Sequence, residues 1–280
     1  MVRRGWRLGA VAGMTVLVAF CASGPERPEA VRTAADVGPL PADRYNYTPH
    51  DYQRSQRASA VLIRQCMADR GHPDFPLDPR YPSDPLVAVA VGTDYGALDL
   101  EAAHRWGYGW DPAQHPVSVP RGRRMTDAEY ADWPDCNAEA NRRLMHGIDL
   151  KRDWLYAGTR AIEIDKAVKR DPRLRAAWDQ WSRCVAAQGF TRYPDPGAAF
   201  ADHAWQRDSS GNTRHTRRER ATAVADVICK RRHHTVEVWH AVRAQQQAAD
   251  IARHRDRYTA GLQALRTYRA NIAEVLRKLG

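Results

Sequence analysis

The chain has 280 residues, enough for one large domain or two small ones, and its nine Trp and eleven Tyr supply bulky core material that argues against disorder throughout. The formal net charge is +10, carried by 43 basic residues of which only five are lysine, an arginine bias that reads as a GC-rich coding sequence. A modestly basic surface suits anionic lipid headgroups or anionic wall polymers.

In chain order, residues 1–21 read as an export signal. Arg3, Arg4 and Arg7 form the positive start, and Leu8 to Phe20 forms the apolar core. That core is shorter than the roughly 20 residues a membrane-spanning helix needs. Cys21-Ala22-Ser23-Gly24 supplies the small residues after it. Cys21 stands where a bacterial lipoprotein carries its acylated cysteine, so a lipid anchor at Cys21 is expected. Phe20 departs from the small residue usual before that cysteine, and ordinary cleavage is the competing reading. An exported chain makes nucleic acid a poor partner. Residues 22–50 read as a flexible tether, because Pro25, Pro28, Pro39 and Pro41 interrupt any periodicity and apolar residues are sparse.

Residues 51–150 form the expected first helical unit. A helix is expected from Tyr52 to Arg70, stopped by Gly71, and prolines then hold an extended loop. Leu86 to Val91 is a strand-like run with no obvious partner. Asp99 is positioned to cap a short helix from Leu100 to Trp106. Trp106, Tyr108 and Trp110 alternate with Gly107 and Gly109. Exposed, they could stack on a sugar or hold a partner's side chain; the preferred reading is a set of packed anchors. Thr126 with Glu129 three residues later is a capping box that opens a helix through Cys136 to about Leu144, with Pro134 demanding a kink or a late start.

Residues 151–280 form the expected second unit. Tyr156 to Lys169 reads as a helix. Asp171-Pro172 restarts another, whose apolar positions Leu174, Ala177, Trp178, Trp181 and Val185 run up to Gly189. A loop is expected to about Thr216. Beyond it no proline occurs, and the apolar steps predict one helix of about 60 residues or a hairpin of two, with Gly261 as a candidate break and the helix as a surface for a protein partner or for self-association.

One pattern organises the rest. Cys66, Ala68, Gly71, Phe75 and Pro76 match Cys184, Ala186, Gly189, Tyr193 and Pro194 at identical spacing, which indicates an internal duplication. With Cys21 set aside, four cysteines remain in an exported chain, so two disulfides are expected. One staple per copy selects Cys66 with Cys136 and Cys184 with Cys229. Each would contribute about 4 kcal/mol in the chain-entropy description.

Other constellations are weaker. His233, Glu237 and His240 fall at i, i+4 and i+7 and could offer a divalent metal one helix face. The zinc-protease spacing is absent, a solvated polar face is preferred, and no cofactor is expected. Glu163 and Asp165 point apart on a helix, and there is no nucleophile elbow, phosphate loop or dinucleotide fingerprint. The basic run Arg214, Arg217, Arg218 and Arg220, continued by Lys230, Arg231 and Arg232, could dock an anionic polymer or lipid, or could be a solvated face.

Trp181 to Pro196 and Ala223 to Lys230 resemble a group of uncharacterised envelope lipoproteins of high-GC Gram-positive bacteria. The shared features are Trp-Ser-x-Cys-x4-Gly-aromatic, then Ala-Asp-x-x-Cys, then a long charged helix. The resemblance covers mainly residues 171–280. It implies an extracytoplasmic site and a disulfide, and it carries no catalytic residues.

The fold expected is mostly α: two disulfide-stapled helical units with Pro-rich loops and a long C-terminal helix or helical hairpin. The function expected is that of a non-enzymatic extracytoplasmic envelope protein, held at the membrane by its N-terminal lipid. The alternative is a binding protein for an anionic wall polymer, a carbohydrate or a small ligand.

Overall fold

The computed structural model describes residues 30–76, 95–113 and 123–279. The expected export signal with Cys21, the first part of the expected tether and the strand-like run Leu86–Val91 lie outside these residues. The described helices are α1 (Pro49–Asp69), α2 (Leu100–Trp106), α3 (Asp127–Leu144), α4 (Tyr156–Arg170), α5 (Pro172–Ala187), α6 (Pro196–Phe200), α7 (Arg217–Arg232), α8 (Thr235–Arg253) and α9 (Arg255–Leu279).

Local chemistry fixes most starts. Thr48, Thr126 and Thr216 each accept the backbone N–H three residues on, and Asp51, Glu129 and Glu219 return the bond, so α1, α3 and α7 all open with a capping box. Asp99 and Asp171 cap α2 and α5. Because α3 starts at Asp127 with Pro134 inside it, a late start is excluded. Within the expected 190–216 loop lie the short α6 and a 3-10 turn at His203–Trp205.

Both expected disulfides are present. Cys66–Cys136 joins α1 to α3 with Cα atoms 5.6 Å apart, and Cys184–Cys229 joins α5 to α7 at 5.7 Å. The two staples share parts beyond the cysteines. Each first helix ends at a left-handed glycine, Gly71 at φ +92° and Gly189 at φ +86°. Each then buries its aromatic, Phe75 or Tyr193. Each second helix opens on a Thr-x-x-Glu box whose glutamate is buried.

The units are not separated at residue 150. The core around Cys136 takes Ala58, Leu62 and Met67 from α1, Ala140 and Leu144 from α3, and Ile272 and Val275 from α9. The core around Cys184 and Cys229 takes Trp181, Val185 and Val227 together with Ala103 and Tyr108 from the α2 region. Each staple therefore borrows an element from the other half. A third core joins Ile164 and Val168 of α4, Leu174 and Trp178 of α5, and Val236, Trp239 and Val242 of α8.

The expected long C-terminal helix is present as α9, Arg255–Leu279. Three details are corrected. The proline-free C-terminal stretch as a whole is not one continuous helix. It breaks at His234, which adopts φ +48°, and at His254, so that α7, α8 and α9 each serve a different core. Gly261 is not a break. It lies inside α9, where a Cβ would sit 3.2 Å from the Asp153 carbonyl oxygen, so the glycine allows the 150–154 turn to approach. The described part of the tether, from residue 30, is also not free. The Val31 N–H donates to Glu237 at 2.8 Å, the Ala42 N–H to Gln247 at 3.0 Å, and Tyr45 packs its ring 4.9 Å from that of Tyr258. Val31 and Val37 pack on the third core.

Ion pairs tie the elements together and make the fold acid-sensitive. Arg269 of α9 donates two bonds to Asp51 of α1, at 2.7 and 2.6 Å, and this guanidinium holds the Asp51 carboxyl well below the usual carboxylate range. Arg123 and the Thr126 N–H hold Glu129 down to about 2. Burial pushes Asp250 up, but Arg160 and the Tyr258 hydroxyl more than reverse it. These folded-state values lie below the unfolded ones of about 4. The stability they give is therefore complete above about pH 4 and is lost as pH falls toward 2. The urea midpoint followed by Trp fluorescence should hold from about pH 7 to 5 and drop steeply below about pH 4. Arg269→Gln should flatten part of that drop. A midpoint unchanged between about pH 6 and 3 would contradict it.

Candidate functional site

The stretch from Trp181 to Pro194 and the Asp226–Lys230 turn of α7 converge on the second staple. The Trp181 indole N–H donates to Asp226 Oδ1 at 2.9 Å. Lys230 Nζ donates to Asp226 Oδ2 at 2.9 Å and to the Ala97 carbonyl at 3.0 Å. Asp226 and Lys230 are 0% and 2% exposed. Burial pushes the Asp226 carboxyl up and the Lys230 ammonium down, and their mutual attraction opposes both shifts. The Ser182 hydroxyl donates to the Tyr193 carbonyl, fixing the aromatic-Pro turn on α5. Trp181, Ser182, Cys184, Asp226 and Cys229 are thus all engaged in one buried assembly.

Glu219 seals its other end. It accepts the Tyr108 N–H at 2.9 Å and the Thr213 hydroxyl, in addition to its capping role. Gly107, at φ +63°, lets the chain pass over this carboxylate; a Cβ there would lie 2.6 Å from Glu219 Oε1. Gly107→Ala should cost about 2 kcal/mol through backbone strain and displacement of Glu219. Urea unfolding checks this, and an unchanged midpoint would contradict it.

The structure assigns the sequence candidates as follows. Tyr108 is 2% exposed and stacks on Trp205 with ring centres 5.6 Å apart. Trp106 packs edge-on against His215, and the Trp110 N–H donates to Asn212 at 3.0 Å. Tyr108 is therefore a packed anchor, while Trp106 and Trp110 are each half-buried. The basic run is divided: Lys230 is buried, Arg231 donates to the carbonyls of Arg32 and Leu98 at 3.0 Å each, and only Arg232 of the last three is exposed. His233, Glu237 and His240 do not share a helix face. His233 caps α7 and the other two lie on α8 beyond the break. Glu237 is engaged by Val31, and His240 Nε2 lies 2.9 Å from the Gly38 carbonyl. Among the described residues no group of three His, Cys, Asp or Glu side chains could hold a metal ion, and no helix is long and apolar enough to cross a membrane.

Beside the staple lies an open cleft of about 730 Å³, walled by Lys169 of α4, Arg175, Trp178 and Asp179 of α5, and Arg192 and Tyr193 of the turn. Asp179 pairs with Arg183 and, at 3.3 Å, with Arg192, and Asp165 holds Lys169 at 2.7 Å. Arg175 is exposed and forms no ion pair among the described residues, and the Trp178 indole N–H is buried without a partner. Sequence reasoning passed over this cleft because its cations come from three separate elements. One signal was present: Arg192 stands where the first copy of the repeat has Asp74. The chain matches no known family, no curated protein and no solved structure.

Proposed function

We propose that this chain is a non-enzymatic protein of the cell envelope, exported, anchored by lipid at Cys21, and serving as a rigid helical scaffold for a protein partner outside the cytoplasm. The observation that carries this reading is the pair of disulfides, each locking two helices of a separate core, an arrangement suited to an oxidising compartment. The buried ionisable groups around them are engaged as caps and ion pairs, which leaves them poorly placed for acid–base work. The C-terminal stripe offered for self-association is covered from within, since Tyr258, Leu265 and Ile272 are 2%, 3% and 2% exposed. A partner or a second copy would therefore meet the outer face of α9, where Arg266, Ala270, Glu274 and Arg277 are exposed, or another surface. Metabolic labelling with an alkyne fatty acid tests the anchor: label and membrane retention should both vanish with Cys21→Ser. Recovery of reduced protein from the cytosol would refute the reading.

A second reading, capture of an anionic polymer, is supported by the cleft, where Arg175 projects beside Arg192 and Trp178. Retention on an immobilised anionic wall polymer at low salt should then fall several-fold with Arg175→Gln/Arg192→Gln, and equal retention would remove this reading.

A further inference from the structure

We infer that the joint between α7 and α8 is the face the protein lays against the bilayer, on anionic phospholipid headgroups. The inference rests on the lipid anchor at Cys21 and adds to it an orientation and a surface. The first support is where the residues nearest the anchor are seated. The Val31 N–H bonds to Glu237 on the first turn of α8, and Arg231 at the end of α7 donates to the Arg32 carbonyl. Val31 and Arg32 are therefore seated on this joint. Nine peptide units connect Cys21 to Ala30, which reach roughly 30 Å at full extension. A folded body of this size is about 45 Å across. A lipid on Cys21 thus holds the joint within reach of the headgroups and keeps the opposite side away.

The second support is charge. Arg232 ends α7, its guanidinium 3.9 Å from Cys184 Sγ, which brings it beside the C-terminal half of α5 and Arg183. Arg32, Arg183 and Arg232 are all exposed, and His233 and His234 lie between them at the break. His233 reports the convergence: burial first, then the fields of Arg232, Arg183 and His234, push its imidazole down. The local charge balance stays positive with the carboxylates counted: Arg32, Arg183, Arg192, Arg231 and Arg232 stand against Asp36, Asp179 and Glu237, with Asp179 pairing Arg183 and Arg192. Cations within a Debye length of an anionic leaflet are attracted to it, and a surface too weak to bind alone suffices once a lipid supplies the first contact.

The test uses the exported chain with Cys21→Ser, which cannot be acylated, mixed with vesicles containing about one-third phosphatidylglycerol or none. Fatty-acid labelling in cells reports separately on the anchor, so failure of the one is not failure of the other. The expected result is flotation with the anionic vesicles only, released by raising the salt, and reduced at least fivefold by Arg183→Gln/Arg232→Gln. Arg142→Gln/Arg143→Gln on α3 should leave flotation unchanged. Non-reducing mapping and helix content confirm that the variants fold. On the unsubstituted arginines, hydrogen exchange should slow at least twofold across residues 230–238 when anionic vesicles are added. Absence of flotation with anionic vesicles, loss through the α3 pair in place of the joint pair, or protection elsewhere would each overturn the inference.

Discussion

Lys230→Met should lower the unfolding free energy by about 3–5 kcal/mol, because it strands the Asp226 carboxylate at a site with no exposure to solvent. The loss is not the worth of the ion pair but the cost of one uncompensated buried charge. Two consequences separate these readings. First, Asp226→Asn/Lys230→Met removes both charges, keeps an acceptor for the Trp181 indole, and should recover roughly half the loss or more. Second, the single variant should change its pH dependence. Asp226 without Lys230 has a folded-state pKa raised above the unfolded value of about 4, so the contribution of this group is complete below that pH and is lost as pH rises through the raised value. The Asp51, Glu129 and Asp250 pairs remain and still weaken toward acid, so the deficit of the variant relative to the parent should shrink as pH falls from about 7 to 4. Urea titrations at several pH values measure both. A Lys230→Met chain within about 1 kcal/mol of the parent at neutral pH would show that the pair is solvated.

Cys184→Ala/Cys229→Ala should cost about 4 kcal/mol, and Cys66→Ala/Cys136→Ala slightly more, because the closed loops differ only as sequence separations of 45 and 70. The sites lie in different cores, so the effects should add. Their sum approaches the whole stability of an ordinary domain, about 5–15 kcal/mol. Each single removal should lower Tm by about 10 °C, and reductant on the parent chain should match the double removal. The staples carry this weight because α3 buries few apolar residues of its own. Equal melting with and without dithiothreitol would contradict the prediction.

How much of this was legible follows from how local each cause is. Capping boxes act across three residues, so Thr126 with Glu129, and Asp99 and Asp171 as caps, could be read directly. The staples were legible because the repeat gave the cysteines an order. What escaped depends on contacts far along the chain. Nothing near Pro39 and Pro41 says that Gly38 meets His240 or that Ala42 meets Gln247. The helix breaks escaped because histidines, not glycine or proline, occupy them, while Gly261 imitated a break and serves a close approach. Lys230 looked like one cation in a run of three, and only the fold shows it turned inward to Asp226. In the cleft, Arg175 and Arg192 are brought together by the turn at Tyr193 and Pro194, which no spacing rule anticipates.

The central claim is that two copies of one oxidised staple hold this chain together outside the cytosol. Its most direct measurement is non-reducing peptide mapping of the protein after free thiols have been trapped in living cells. The account predicts Cys66 joined to Cys136 and Cys184 joined to Cys229, with none of the four carrying the trapping label. A Cys66–Cys184 bridge, or four labelled thiols, would contradict it.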